Sequence, residues 1–477
     1  SPEFAFPTTM SDPGAQDIES GDRAMSFSRR VRRSMARRFP RARKVYHFML
    51  RAGRRVRDFP RQSAVTTRWL WKYRREIRRR QREPRLTIGI DISPLWEPLT
   101  GVGWYLYRLL EHLADRDDVR IRLYPPTIIE SFLSPYPDPT VEPPSGPALE
   151  IVSFDLPGDL VVDDEPAVQW LRKREASLVT RDRNQVLFAP NYFLPRLFNG
   201  VPGALVATIH DLGFRKVPWT LRDETLDGLA ARLDQTLTGA ELLITVSNTV
   251  RDELVAFEYA PAEQIRVVHH GAGLLEGIEA GELPTGIPEL FALHVGTLEP
   301  RKNISSLLAC WRLLRDQMSA VPTLVLCGRF GWKTQELEAE VAAAEEEGWL
   351  RHLGYVPEDE LARLYVQATV VVFPSLYEGF GLPAVEAMAA GTPLVCSDIP
   401  VLHEVAGDAA LFASPERPEE MALQVRRLLA DESLRRELIS LGAERLAEFD
   451  WNKTAEETLA VWREAAESVD RRTNKAG

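Results

Sequence analysis

Six short apolar runs follow one another in the C-terminal half of this chain, with helical periodicity between them. They are FALHVGT (291–297), PTLVLCG (322–328), LRHLGYV (350–356), TVVVFPS (369–375), TPLVCSD (392–398) and AALFAS (409–414). A run that is apolar at every position, not at alternate ones, fits a strand covered on both faces. Strands of that kind alternating with helices predict a doubly wound parallel α/β sheet. The N-terminal half repeats the pattern less cleanly in LTIGIDIS (86–93), IRLYP (121–125), LEIVSF (149–154), QVLFAP (185–190), ALVATIHDL (204–212), LLITVS (242–247) and IRVVHHG (265–271). A Gly/Pro-rich break at 271–289 separates the two sets and reads as a hinge.

The reading is therefore two Rossmann-like domains facing a cleft, over 86–275 and 286–448, with a closing amphipathic helix at 449–470 that could cross back to the first domain. Residues 125–166, rich in Pro and acids, read as an irregular insertion. Residues 1–25 read as a disordered leader that opens on a cloning remnant, with Met25 as the expected native start. Between leader and domains the charge changes character. Residues 26–86 hold 23 of the 59 Lys and Arg, but only Asp58, Glu76 and Glu83 of the 69 acids. The formal net charge of −10 thus hides a basic arm on an acidic body. Apolar residues at helical spacing within 26–85 predict a basic amphipathic helical arm. It suits an anionic membrane surface. Packing on its own acidic body, oligomerisation or nucleic-acid binding are the other readings. No window reaches the roughly 18 apolar residues of a membrane span. Cys310, Cys327 and Cys396 lie in apolar runs and are expected to be buried free thiols. That is the state expected in the cytoplasm, and the basic arm predicts a peripheral position at the inner face of the plasma membrane.

Four constellations could carry chemistry. Glu378 and Glu386 flank a Gly/Pro loop, EGFGLPAVE (378–386), that leaves the end of the strand TVVVF. Ligands of open α/β sheets bind at that end. Pro383 suits a first helical turn, so Glu386 sits one turn into a helix and Glu378 in the loop before it. The helix N-terminus can stabilise a diphosphate, and Gly379 and Gly381 let backbone approach a ligand. Arg301 and Lys302 follow the strand-ending Gly296 and suit a diphosphate leaving group. Gly101 and Gly103 open a helix after the first strand, with only part of a dinucleotide fingerprint. His210 ends a strand, where it can donate to a sugar hydroxyl or orient an acceptor. His269 and His270 end another strand near the hinge. Asp115, Asp117 and Asp118 read as a solvated turn, and no zinc site is read.

From Leu86 to Glu467, about four-fifths of the chain, the sequence resembles the family 4 retaining glycosyltransferases of the GT-B fold. The motifs are GTLEPRKN (296–303), LCGRFGW (326–332), EGFGLPAVE, and more loosely TGVGWYLYRLL (100–110), ATIHDL (207–212) and TVSNTVRDEL (245–254). In motif style it is similar to the mannosyl- and rhamnosyltransferases of bacterial surface polysaccharide synthesis. The resemblance implies a hexosyltransferase that uses a nucleotide-sugar, GDP-mannose favoured, a glycan or lipid-linked acceptor, and no metal. It also implies roles. Arg301 and Lys302 would bind the donor diphosphate, with Gly101, Gly103 and Gly296 close to it. Glu386 would bind the ribose. Glu378 and the backbone of Gly379, Phe380, Gly381 and Leu382 would hold the donor sugar, and His210 would lie beside it. A nucleotide-sugar epimerase of similar architecture and a non-catalytic membrane-interaction protein are the competing readings.

Overall fold

The structure is a computed structural model that describes residues 85–96, 101–127, 139–152, 165–272 and 281–476. The leader, the basic arm up to residue 84, most of the 125–166 insertion and residues 273–280 of the hinge lie outside the described residues. The chain divides into two compact units, residues 1–72 with 155–171 and residues 73–154 with 172–477. Of the first, only 165–171 is described, as the opening of a helix.

The second unit contains both sheets. The first is built from β1 (Leu86–Asp91), β2 (Val119–Tyr124), β3 (Leu149–Ile151), β4 (Val186–Ala189), β5 (Ala204–Ile209), β6 (Leu242–Thr245) and β7 (Ile265–Val267). All pairings are parallel, in the order β3-β2-β1-β4-β5-β6-β7. The helices are α1 (Gly101–Leu113), α2 (Glu165–Asp182), α3 (Gly213–Lys216), α4 (Asp223–Gly239) and α5 (Asn248–Ala256). β4, β5 and β6 are buried at every residue, which is why they read as unbroken apolar runs.

The second sheet holds β8 (Phe291–Val295), β9 (Thr323–Cys327), β10 (Leu350–Gly354), β11 (Val370–Phe373), β12 (Leu394–Ser397) and β13 (Ala410–Ala413), in the order β10-β9-β8-β11-β12-β13. Its helices are α6 (Ile304–Gln317), α7 (Gln335–Glu346), α8 (Glu358–Gln367), α9 (Leu382–Ala389), α10 (Pro400–Ala406), α11 (Pro418–Ala430) and α12 (Glu432–Arg445). Both orders reverse direction beside the first strand of the set, and ligands bind outside the carboxyl ends of the strands at such a switch point. Cys310, Cys327 and Cys396 are buried free thiols in this core.

The last helix, α13 (Trp451–Ala476), packs on the first sheet, not the second. Leu459 and Trp462 are fully buried there, and the Trp462 ring meets Phe188 of β4 edge-on at 5.0 Å. The acidic turn after α1 takes part in this docking: Asp118 pairs with Arg116 and with Arg463 of α13. The expectation of a merely solvated turn is therefore corrected for Asp118. The pairing joins residues 345 apart, which no local pattern displays. Among the described residues no helix is long and apolar enough to cross a membrane.

Candidate functional site

The carboxyl ends of the two sheets face each other across a cavity of 690 Å³. Gly296 and Gly328, which end β8 and β9, both have φ beyond +140°. A side chain at Gly328 would collide with the carbonyl of Gly296. The two glycines let these strand ends run side by side beneath the cavity.

On the second-sheet wall the motif residues converge. Glu378 is buried, yet it accepts from Lys302 Nζ at 2.5 Å and from Arg301 Nη1 at 2.9 Å. Arg301 also donates to Glu299 at 3.0 Å and to the carbonyl of Tyr377 at 3.1 Å. Lys302 lies 5.1 Å from the ring centre of Phe373. Burial alone would push the Glu378 carboxyl up, but Lys302 and Arg301 outweigh it and hold it at about 2. Beneath Lys302, burial drives His294 down to about 4, so that ring stays neutral. The two cations are thus fixed before any ligand arrives, each against the same carboxylate.

Gly381, with φ +104°, caps the start of α9, and Pro383 follows within the first turn. Gly381, Leu382, Pro383 and Glu386 all line the cavity, so the free N–H groups of the helix start face it. Glu386 accepts from the Tyr365 hydroxyl at 2.6 Å. Burial raises its carboxyl to about 7, with the Tyr365 bond opposing the rise.

The first-sheet wall comes from β5, β7 and α1. His210 leaves β5 and places Nε2 2.8 Å from the Pro190 carbonyl. A carbonyl can only accept, so Nε2 carries the proton and Nδ1 is the lone-pair nitrogen. Nδ1 of the neutral ring can therefore accept a hydrogen bond but not donate one; of the two roles read for this residue, donation from Nδ1 does not fit its tautomer. His270 stacks on His210 with ring centres 5.6 Å apart. It also meets Tyr105, Phe380 and Trp451. Its Nδ1 is buried without a partner among the described residues. His269 points elsewhere, to Glu404 at 3.1 Å.

Gly101 lines the cavity with Val102 and Trp104, whereas Gly103 is buried and does not. All four residues lie in the first turn of α1. At about 100° per residue the side-chain direction of the third faces away from the other three, while its backbone N–H, in the first turn, still points along the axis toward the helix start.

Contacts across the cleft bring the walls together. A side chain at Gly379 would collide with the His210 carbonyl, and Ser247 Oγ donates to the Gly379 carbonyl at 2.7 Å. The Tyr377 hydroxyl accepts from Leu212 N at 2.9 Å and donates to Glu253 at 2.7 Å. Glu404 of α10 accepts from the backbone N–H groups of Asn248 and Thr249 at 2.6 and 2.8 Å, at the start of α5. Opposite these, Trp332 Nε1 donates to the Thr220 carbonyl at 2.6 Å. Sequence reasoning missed Tyr365, Tyr377, Glu404 and Trp332. Each joins a partner 21 to 165 residues away; Trp332 closes the LCGRFGW motif, but no local pattern displays the partner that any of the four meets.

A cation pair of buried Lys302 and partly exposed Arg301, a helix start and a half-buried carboxylate on one sheet, opposite a neutral histidine on the other, can hold a polyanion attached to a polyol. Comparison with known proteins agrees. Residues 99–273 match Glycosyltransferase Family 4, and residues 283–445 match Glycosyl transferases group 1. The O-antigen chain mannosyltransferase B of Escherichia coli is 30% identical over 78% of this chain and 98% of its own length. A D-inositol 3-phosphate glycosyltransferase of Streptomyces bingchenggensis is 27% identical over 82% and 92%. A sucrose-phosphate synthase structure from Thermosynechococcus elongatus superposes with TM-score 0.63 at 22% identity, covering 80% of this chain and all of that one. It shares the GT-B fold of two Rossmann-like domains seen here. The chain belongs to glycosyltransferase family 4.

Proposed function

We propose that this hexosyltransferase moves mannose from GDP-mannose to a glycan or lipid-linked acceptor in surface polysaccharide synthesis, with retention at the anomeric carbon. Family membership sets aside the epimerase and non-catalytic readings. The observation that carries the proposal is the linked set of Arg301, Lys302 and Glu378 beside the start of α9. The mannose follows from likeness to the O-antigen mannosyltransferase.

In this reading the donor diphosphate lies against Arg301, Lys302 and the first N–H groups of α9. Gly296, Gly379 and Gly381 leave room for it. Glu386 accepts from the ribose hydroxyls. Each oxygen of a carboxylate accepts more than one bond, so Glu378 can keep both cations while it accepts from a sugar hydroxyl. The acceptor oxygen bonds to C1 on the face from which the diphosphate departs. The bond from C1 to the phosphate oxygen breaks with its electron pair staying on that oxygen. The acceptor proton passes to the diphosphate. Arg301, Lys302 and the helix start stabilise the charge that builds there, and the reaction has no metal step. The His210 Nδ1 lone pair accepts from a hydroxyl of the transferred sugar.

Thermal stabilisation by GDP-mannose, dTDP-rhamnose, UDP-glucose and UDP-GlcNAc tests the donor. GDP-mannose at 100 times its Kd is expected to add about 2.7 kcal/mol of stability, with EDTA changing neither binding nor transfer. A larger shift from another donor, or loss of transfer with EDTA, contradicts the reading. The basic arm is proposed, on its charge alone, to bind anionic membrane. Removing residues 26–85 is expected to abolish sedimentation with phosphatidylglycerol vesicles; unchanged sedimentation removes that proposal.

A further inference from the structure

The cavity extends beyond the proposed donor groups into a lobe to which the motif reading gives no role, although Asp211 and Trp332 each belong to one of the motifs. Its walls are Tyr192, Phe214, Leu221 and Leu229 from the first-sheet side and Trp332 from the loop after β9, with Asp211 beside His210. The Tyr192 and Phe214 rings lie 6.3 Å apart and nearly parallel, at 23°. The loop that bears Tyr192 is fixed from α4. Thr236 Oγ1 donates to the Tyr192 carbonyl at 2.8 Å and accepts from Leu194 N at 2.9 Å. Arg232 lies over the neighbouring Phe193 ring at 5.0 Å. From the same side of the lobe, Asp211 Oδ1 accepts from Gly213 N at 2.9 Å. Asp211 Oδ2 and the Tyr192 hydroxyl have no hydrogen-bond partner among the described residues. Trp332 comes from the other sheet. It is pinned by its bond to the Thr220 carbonyl, and Lys333 Nζ donates to the Trp219 carbonyl at 3.0 Å.

Aromatic walls with a few polar groups at the rim match one chemistry well. The C–H face of a pyranose lies against the negative face of an aromatic ring, while its edge hydroxyls need acceptors and donors. A lipid chain would leave Asp211 and the Tyr192 hydroxyl without use. We infer that this lobe is the acceptor subsite and that it takes the terminal sugar ring of a glycan. The ring is held between Tyr192 and Trp332, with a hydroxyl on Asp211. The inference rests on the proposed transferase reading and names the acceptor class for it. Because Trp332 reaches the lobe from the second sheet, the subsite is complete only when the two walls are in contact. Acceptor binding therefore favours the closed cleft, which keeps water from the donor.

An α-linked mannobiose serves as the probe acceptor and GDP-mannose as the donor. Tyr192→Ala and Trp332→Ala are each expected to raise the mannobiose KM at least tenfold. GDP-mannose Kd and kcat at saturating mannobiose should stay within about threefold, a hydrophobic-contact scale of effect. Tyr192→Phe, which keeps the ring, should restore most of the affinity. Unchanged mannobiose KM in both alanine variants overturns the inference, as does an equal loss of GDP-mannose binding. Saturation-transfer NMR with mannobiose and no donor separates the two readings. Mannobiose contact without any GDP-mannose binding would sink the donor assignment and keep the subsite. The reverse would sink the subsite alone.

Discussion

Lys302→Ala is expected to lower kcat by about 10²–10³-fold, the cost of removing one group that stabilises charge in a transition state. Lys302 Nζ lies 2.5 Å from Glu378, and both residues are buried. The substitution therefore acts on stability as well. It leaves the Glu378 carboxylate with Arg301 alone, and breaking one arm of a buried ion pair costs about 3 kcal/mol. The pH dependence gives a second reading of the same change. Glu378 is held at about 2, against an ordinary value of 4.5. Its contribution to stability is present above pH 4.5 and is lost as the pH falls towards 2. In Lys302→Ala the contribution is smaller, and its loss, which still begins near pH 4.5, is complete at a higher pH. Thermal melts from pH 3 to 7 and single-turnover rates measure the two effects separately. A variant that keeps the wild-type rate removes Lys302 from the leaving-group site.

Glu386→Gln is expected to do the opposite to stability while also impairing function. Burial holds the Glu386 carboxyl at about 7 in the fold. An elevated carboxyl stabilises fully only below its unfolded value of 4.5, and that contribution fades as the pH rises to 7. Above pH 7 the fold carries a half-buried carboxylate that glutamine would not impose. The variant should be more stable than the wild type at pH 8, by on the order of 2 kcal/mol, and about equal near pH 4.5. Donor binding runs the other way. A carboxylate that accepts two ribose hydroxyls must be ionised, so wild-type affinity for GDP-mannose should rise about tenfold between pH 6 and pH 8. The variant should show no such rise and bind about 10–100-fold more weakly at pH 8, the scale of a hydrogen bond to a charged group. Melts and calorimetric titrations at pH 6, 7 and 8 decide it.

These two residues also show why part of the site was legible in the sequence. EGFGLPAVE packs a positive-φ glycine, a first-turn proline and two carboxylates into nine residues, all after an unbroken apolar strand. Backbone needs of that kind leave local marks. The parallel strands were legible for a related reason: β11 is covered on both faces and is apolar throughout, and β12, equally buried, is apolar up to Ser397. The partners of the same residues left no mark. Tyr365 sits in α8 among ordinary core positions, and only the tertiary fold brings its hydroxyl to Glu386. Glu404 and Trp332 are an unremarkable helix residue and a loop residue until the cleft is assembled. The Gly101 and Gly103 pair suggested a turn, whereas both residues are helical and Gly101 lines the cavity. His210 was placed correctly at a strand end, but its tautomer depends on a carbonyl 20 residues earlier.

The central claim is that Arg301, Lys302 and Glu386 form the donor site of a transferase cleft. Calorimetric titration of GDP-mannose into the wild type, Lys302→Ala and Glu386→Gln at pH 8 tests it most directly. The account predicts one donor per chain in the wild type and at least tenfold weaker binding in each variant, with Glu386→Gln still fully folded. Equal affinity in all three proteins would contradict it.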